Sequence, residues 1–348
     1  TPHTVLQSFS VPLVPFKYLA IFSNLSVNNL ICDLNHHNLI AFVFILTSSV
    51  WSQQISMYSQ YMFNQFSINP AVSGSEMYAP VGLSFRRQWA GMKNAPVTQT
   101  LSAHTFMGES MGIGANVFND VSGPTRRTGL SAAYSYHINV GDHSKLSFGL
   151  ASQITQFVLD RDKLITELPN DIAILNQTSN ELVPDFTFGL YWYGENHFVG
   201  FSALNLLESK NDLFDITTPV TNTLDRAFYF SGGYRFKVGE SFKIEPSLLF
   251  RYMMNAPFQM DINSRFILKE KYWLGFSYRL NDAFVTMLGV DLGAICFGYS
   301  YDYTMSDLVN YNSGSHEVFL GVKMFKGGKG KTPWHKRNRL YSSYSKGT

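Results

Sequence analysis

The sequence predicts an all-β protein, a transmembrane antiparallel β-barrel of about fourteen strands. Three observations predict it. The first is strict two-residue alternation. In the cleanest stretch Phe258, Met260, Ile262, Phe266 and Leu268 share one face, and Gln259, Asp261, Asn263 and Arg265 share the other. Side chains of a strand point alternately to opposite faces, so such a strand has one oily and one charged face. The second is composition. Aromatic residues make up 15% and charged residues 15%, yet mean hydropathy is only −0.05. A soluble domain is usually about a quarter charged, and a lumen that offsets a lipid-facing surface accounts for the neutral average. The third is the rhythm of the connections, which alternate between short and long.

The 348 residues suffice for one large barrel or two ordinary domains. A net charge of +2 argues against a general nucleic-acid binder. The first 52 residues read as a leader. Leu39 to Leu46 is a compact apolar run, too short to span a bilayer as a helix. Val50 and Ser52 suit the −3 and −1 positions of a signal-peptidase site, with Gln53 as the mature start. No Lys or Arg lies between Lys17 and Arg86, and the chain opens at Thr1, so the first thirty or so residues read as upstream of the natural start or as an unusual leader. Of the two cysteines, Cys32 falls in this leader; Cys296 is then alone, with no intramolecular disulfide or cysteine-rich metal site.

Residues 53–79 precede the first strand. They are rich in Asn, Gln, Ser and aromatics, with Pro70 and Gly74 as turn punctuation, and read as a lumenal plug or a periplasmic arm. The barrel is expected over 80–325. Its first strand, near 80–88, turns Val81, Leu83 and Phe85 outward and Ser84, Arg86 and Gln88 inward. Strands follow at 97–106, 111–119, 126–138 and 145–157. The sixth and seventh flank Gly194-Glu195-Asn196, and the eighth and ninth flank Gly239-Glu240-Ser241. The tenth is the stretch quoted above. The eleventh shows Tyr272, Leu274, Phe276 and Tyr278 outward, the twelfth Phe284, Leu288 and Val290, the thirteenth Phe297, Tyr299 and Tyr301, and the last Val318, Leu320 and Val322. Pro246 falls inside the ninth strand and predicts a local bulge. The aromatic groups Tyr191-Trp192-Tyr193 and Tyr299, Tyr301 and Tyr303 suit the headgroup level.

Outer-membrane barrels have short periplasmic turns and longer outer loops. If the first strand runs outward, the even-numbered connections are short: Gly108-Glu109-Ser110, Asn139 to Ser144, Gly194-Glu195-Asn196, Gly239-Glu240-Ser241 and Lys269-Glu270-Lys271. The long ones, 89–96, 158–184, 206–224 and 304–315, fall in the other set, although the outer loops near Ala256 and Asn281-Asp282 are short. An even strand count with both ends periplasmic follows. After Phe325 the tail, 326–348, carries seven Lys and Arg and no acid, and reads as a solvated tail or as a contact for an acidic partner.

No phosphate-binding glycine loop, His-Glu-x-x-His or nucleophile elbow occurs, so no catalytic, cofactor or metal residue is assigned. The lumen inventory is more informative. Alternation turns Arg86, Arg235, Lys243, Glu245, Arg251, Asp261, Arg265, Arg279, Asp291 and Asp302 inward. A charge facing lipid at mid-bilayer costs a few kcal/mol, and the mixed signs predict a salt-bridged ladder rather than a one-sign pore.

Several ordered segments are familiar. They include Tyr58-Ser59-Gln60-Tyr61-Met62-Phe63-Asn64, and Ile68 through Asn69, Pro70, Ala71, Val72 and Ser73 to Gly74. Next come Phe85-Arg86-Arg87-Gln88-Trp89-Ala90-Gly91, Ala95-Pro96-Val97-Thr98, Met111-Gly112-Ile113-Gly114, and Asn119-Asp120 with Gly123, and last Ala133-Tyr134-Ser135-Tyr136-His137-Ile138. Within them Trp89 suits the outer interface, Gly91 a turn, and Arg86 a lumenal ion pair. Together they resemble the PorP/SprF family of Bacteroidota outer-membrane proteins. The resemblance implies a fatty-acid-channel-like barrel and a part in type IX secretion or gliding motility. The implied role is to help export or anchor a secreted adhesin, by binding its C-terminal signal domain or by linking to periplasmic or lipoprotein subunits. An outer-membrane channel for hydrophobic solutes is the alternative, and a phospholipase-like barrel a third reading that lacks a Ser-His pair.

Overall fold

The computed structural model describes residues 58–141, 143–160, 163, 179–209, 223–254 and 256–324. The leader, the basic tail and parts of the two longest outer loops lie outside them. The strands are β1 (Ala79–Arg87), β2 (Val97–Met107), β3 (Met111–Ser122), β4 (Thr125–Asn139), β5 (Ser144–Leu159), β6 (Ser179–Gly194), β7 (His197–Leu204) and β8 (Ala227–Tyr234). They continue with β9 (Phe236–Val238), β10 (Phe242–Met253), β11 (Ala256–Leu268), β12 (Tyr272–Arg279), β13 (Ala283–Asp291), β14 (Ile295–Thr304) and β15 (Ser315–Met324). Sequence neighbours pair antiparallel all the way round, and β1 pairs with β15 to close the ring. Of the fifteen strands, β8 and β9 share one position beside β10, so the barrel has fourteen. Among the described residues no helix is long and apolar enough to cross a membrane, and the chain crosses with strands.

Closure follows from the solvent. Hydrocarbon cannot satisfy an open sheet edge, so the ladder must return on itself. The side chains are distributed inside out relative to a water-soluble domain. Leu83, Leu130 and Leu150 are exposed on the outside, while Arg86, Asp261, Arg279 and Glu317 are buried within. The alternation read from the sequence holds on every strand named above.

Three local readings change. Pro246 makes no bulge. It pairs with Ser264 in unbroken register on the β11 side. On the other side Ser247 opposes Gly233 and Ile244 opposes Phe236, the same register across the gap between β8 and β9. The proline, lacking an N–H, interrupts that ladder without shifting it. Tyr191 and Tyr193 do not join an interfacial ring, because both are buried in the lumen and only Trp192 faces out. Finally, β3 and β4 extend to Ser122 and Thr125, so their outer connection is a tight Gly123-Pro124 turn, with Gly123 at φ +57°.

Replacing the lipid-facing Leu83 by Arg should destabilise the barrel by about 2–4 kcal/mol, the usual cost of such a charge near the bilayer midplane. Urea unfolding of liposome-inserted protein measures it; a change under about 0.5 kcal/mol would contradict the outward assignment.

Candidate functional site in the lumen

The lumen holds residues 58–75 of the N-terminal segment. Two short 3-10 turns, Gln65–Ser67 and Pro70–Val72, fold it compactly. Asn69 caps the second turn by accepting from the Ala71 N–H through Oδ1 at 2.9 Å. Its Nδ2 donates to the Leu190 carbonyl at 2.9 Å and the Phe201 carbonyl at 3.2 Å. One side chain thus ties the Asn-Pro-Ala turn to both β6 and β7.

The wall beneath that turn is glycine. A Cβ on Gly149 would overlap the backbone of Ala71, one on Gly189 would overlap the Asn69 side chain, and one on Gly112 would overlap the Ser73 carbonyl. Gly74, at φ +71°, lies against the Cα of Gly112. The segment's backbone approaches the wall this closely because the wall residues carry no side chain. Polar groups complete the seat. Ser135 Oγ donates to the Ser73 carbonyl at 2.7 Å, His137 Nε2 lies 2.8 Å from that carbonyl, and Tyr193 shares a hydrogen bond with His137 Nδ1 at 3.0 Å. Tyr191 donates to Gln65 Oε1 at 2.9 Å.

A second anchor grips the start of the segment. Arg86 contacts Asp302 at 2.8 Å and Glu317 at 3.3 Å. Arg279 contacts Asp261 at 3.2 Å and Asp302 at 3.5 Å. Into this cluster the Ser59 N–H donates to Glu317 Oε2 at 2.7 Å, Ser59 Oγ donates to Asp302 Oδ2 at 2.6 Å, and Gln60 Nε2 donates to the Glu317 carbonyl at 3.0 Å. Tyr61 accepts from Asn263 Nδ2. Nearer the periplasm, Arg235 and Arg265 share Glu245 at 2.5 and 2.7 Å, Asp291 pairs with Lys323 at 2.5 Å, and Lys243 pairs with Glu270. Arg251 is buried beside Tyr229. Phe63 lies under Arg265 and packs against Trp273 at a tilt of 32°, with ring centroids 4.2 Å apart.

The remaining motif residues sit at the outer rim. Gln88 N–H donates to the Pro96 carbonyl at 2.9 Å, and Trp89 N–H donates to Ser315 Oγ at 3.0 Å. Gly91 takes φ +93° in the same loop. Asp120 accepts from Thr98 at 2.7 Å and pairs with Arg127 at 2.6 Å, while Gly123 N–H donates to the Asn94 carbonyl. The sequence brought Arg86 and Asp302 to one face but did not bring Ser59 to them. It also missed the glycine seat, although inward-facing glycines on β3, β5 and β6 carried the signal. Three cavities of about 80, 40 and 20 Å³ remain beside the segment.

A family model described as "Type IX secretion system membrane protein PorP/SprF" matches residues 50–322. The chain belongs to the PorP/SprF family. As a PorP/SprF barrel it lies in the outer membrane, as a membrane component of type IX secretion. Among curated proteins none matches it. Its barrel is similar to that of the Ralstonia pickettii toluene transporter TbuX, at 10% identity over 75% of this chain and 93% of that one, with a TM-score of 0.46. The CymD monoaromatic hydrocarbon channel gives 11% identity, 78% and 94% coverage and a TM-score of 0.43. The Acinetobacter baumannii outer membrane protein Omp33 gives 7%, 72% and 100%, and 0.41. Likeness at this level carries nothing about function.

Two substitutions separate the anchors. Gly149→Val should displace the Asn-Pro-Ala turn and leave the barrel closed; protease sensitivity within 58–78 rises while the heat-modifiable gel mobility of the barrel persists. Arg86→Met leaves Asp302 and Glu317 short of a buried partner and should cost about 3–5 kcal/mol, read as a lowered midpoint of denaturant unfolding.

Proposed function

We propose that this PorP/SprF protein is a non-enzymatic scaffold of type IX secretion. It would help export or surface-anchor a secreted adhesin, link the outer membrane to periplasmic secretion or motility subunits, or do both. The observation that carries this reading is the occupied lumen. Residues 58–75 are held at both ends by buried polar contacts, and a cavity lined by Met62, Phe63 and Phe66 beside them is only about 80 Å³. A lumen so filled favours a barrel that binds partners over one that conducts cargo, with residues 53–79 acting as a plug. The long outer loops are the natural contact for an adhesin or its C-terminal signal domain. The basic tail 326–348 is the natural contact for an acidic periplasmic partner.

The second reading, a channel for hydrophobic solutes, requires a continuous apolar path. The ion-paired lumen, with Arg235, Glu245, Arg265, Asp261 and Arg279 all buried, weighs against it.

Affinity purification from the native membrane tests the first reading. Co-purified secretion subunits or a large adhesin are the expected result; a hydrophobic solute held in the lumen with no protein partner favours the channel. Deleting residues 53–79 should raise conductance in planar bilayers, and an unchanged conductance rejects the plug.

A further inference from the structure

The outer rim of the barrel's exterior differs between its two walls. Around β7, β8, β10, β11 and β13 the lipid-facing files end in aromatics, among them Phe201, Phe228, Tyr252, Phe258 and Phe284. On β2 to β5 they carry amides and a hydroxyl one outward position below their ends. Gln99 lies opposite Asn119, Asn119 opposite Thr128, and Thr128 opposite Gln156, so four strands contribute one continuous polar row. Thr128 Oγ1 donates to Asn119 Oδ1 at 3.1 Å, and Gln156 Nε2 donates to Asn180 Oδ1 at 3.0 Å.

The neighbouring rows fix its depth. Below it run Leu101, Val117, Leu130 and Ile154; above it run Val97, Val121 and Val158. A row of amides that borders the apolar band on one side and a mixed row of valines and arginines on the other belongs at the membrane interface rather than in open water. The strand geometry agrees. On β4 the apolar file from Ile138 to Leu130 spans eight residues, about 26 Å along the strand and about 20 Å along the bilayer normal at the usual tilt, close to the apolar band of an outer-membrane barrel. Thr128 is the next outward position.

The upper row also carries two cations, Arg87 on β1 and Arg126 on β4. Arg87 opposes Val97, Val97 opposes Val121, and Val121 opposes Arg126. Both arginines are exposed. Among the described residues neither has an ion-pair partner and the row holds no acid. Three strand spacings separate them, about 14 Å.

We propose that this wall binds the phosphorylated glycolipid of the outer leaflet, the lipopolysaccharide class. Guanidinium groups take phosphate oxygens in bidentate fashion. Amides both donate and accept, which suits sugar hydroxyls. A glycerophospholipid offers the phosphate without the sugar, so the amide row distinguishes the two lipids. On the aromatic wall the guanidinium at the outer end of β8, Arg226, is already paired with Glu208 at 3.3 Å.

The test uses the full chain, delipidated in detergent and titrated with monophosphoryl lipid A, diphosphoryl lipid A, phosphatidylglycerol and inorganic phosphate. Native mass spectrometry reads the bound lipid. Both lipid A forms should bind at least tenfold more tightly than phosphatidylglycerol, and inorganic phosphate should not compete at equal concentration. Arg87→Gln with Arg126→Gln should weaken lipid A binding at least tenfold, while the Lys pair at the same positions retains part of it. Gln99→Leu with Asn119→Leu should narrow the margin over phosphatidylglycerol. Lys237→Gln, exposed at the periplasmic end, should change nothing. Equal binding by the Gln pair, or phosphatidylglycerol binding as tightly as lipid A, overturns the proposal. Heat-modifiable gel mobility confirms that each variant is a folded barrel.

Discussion

The bilayer core offers no water to a backbone amide, and this one constraint organises the molecule. Every N–H and C=O at that depth needs a partner within the chain, so an all-strand sequence has to close. Closure by β1 on β15 then fixes everything else. It creates an inside, and the alternation of side chains assigns each residue to hydrocarbon or to the lumen without exception for charge. The exposed leucines and the buried arginines are two results of the same geometry.

An enclosed lumen of polar side chains has its own problem. Charges withdrawn from water repay their desolvation only when paired with good geometry and supplied with further hydrogen bonds. The barrel meets this in two ways. Arg235, Glu245 and Arg265 pair with one another on the wall. Arg86, Asp302 and Glu317 pair too, but they also take donors from Ser59 and Gln60. The N-terminal segment is therefore part of the solvation of the wall, not an object resting in a hole. Buried ion pairs of this kind add little net stability and contribute mainly specificity; here they specify where the chain enters its fold. The glycine seat specifies the other end, since only a bare backbone leaves room for Pro70, Ala71 and Ser73.

The same alternation read on the outside extends the functional reading. The exterior's amides and arginines gather on β1 to β5 and its rim aromatics around β7 to β13, so the two sides of the barrel offer different chemistry to their surroundings. Family membership and this two-walled exterior are compatible with a scaffold whose work lies at its surfaces.

Much of the fold was legible in the chain. The period of two gave strand positions and faces, and turn residues such as Gly239-Glu240-Ser241 gave the parity of the connections. These are local properties, set by the backbone and its nearest neighbours. Errors arose where one residue's type was read apart from the pattern around it. Tyr191 and Tyr193 looked interfacial because aromatics at strand ends usually are, but with Trp192 outward the period of two turns both into the lumen, where Gln65 and His137 meet them. Pro246 looked like a bulge because a missing N–H often is one, but strong pairing to β11 keeps the register. Only the closed ring could bring Ser59 to Glu317, 258 residues away, or lay Ala71 on Gly149. Periodicity determines which way each side chain points; which chain meets it there depends on long-range closure, for which no local pattern carries the information.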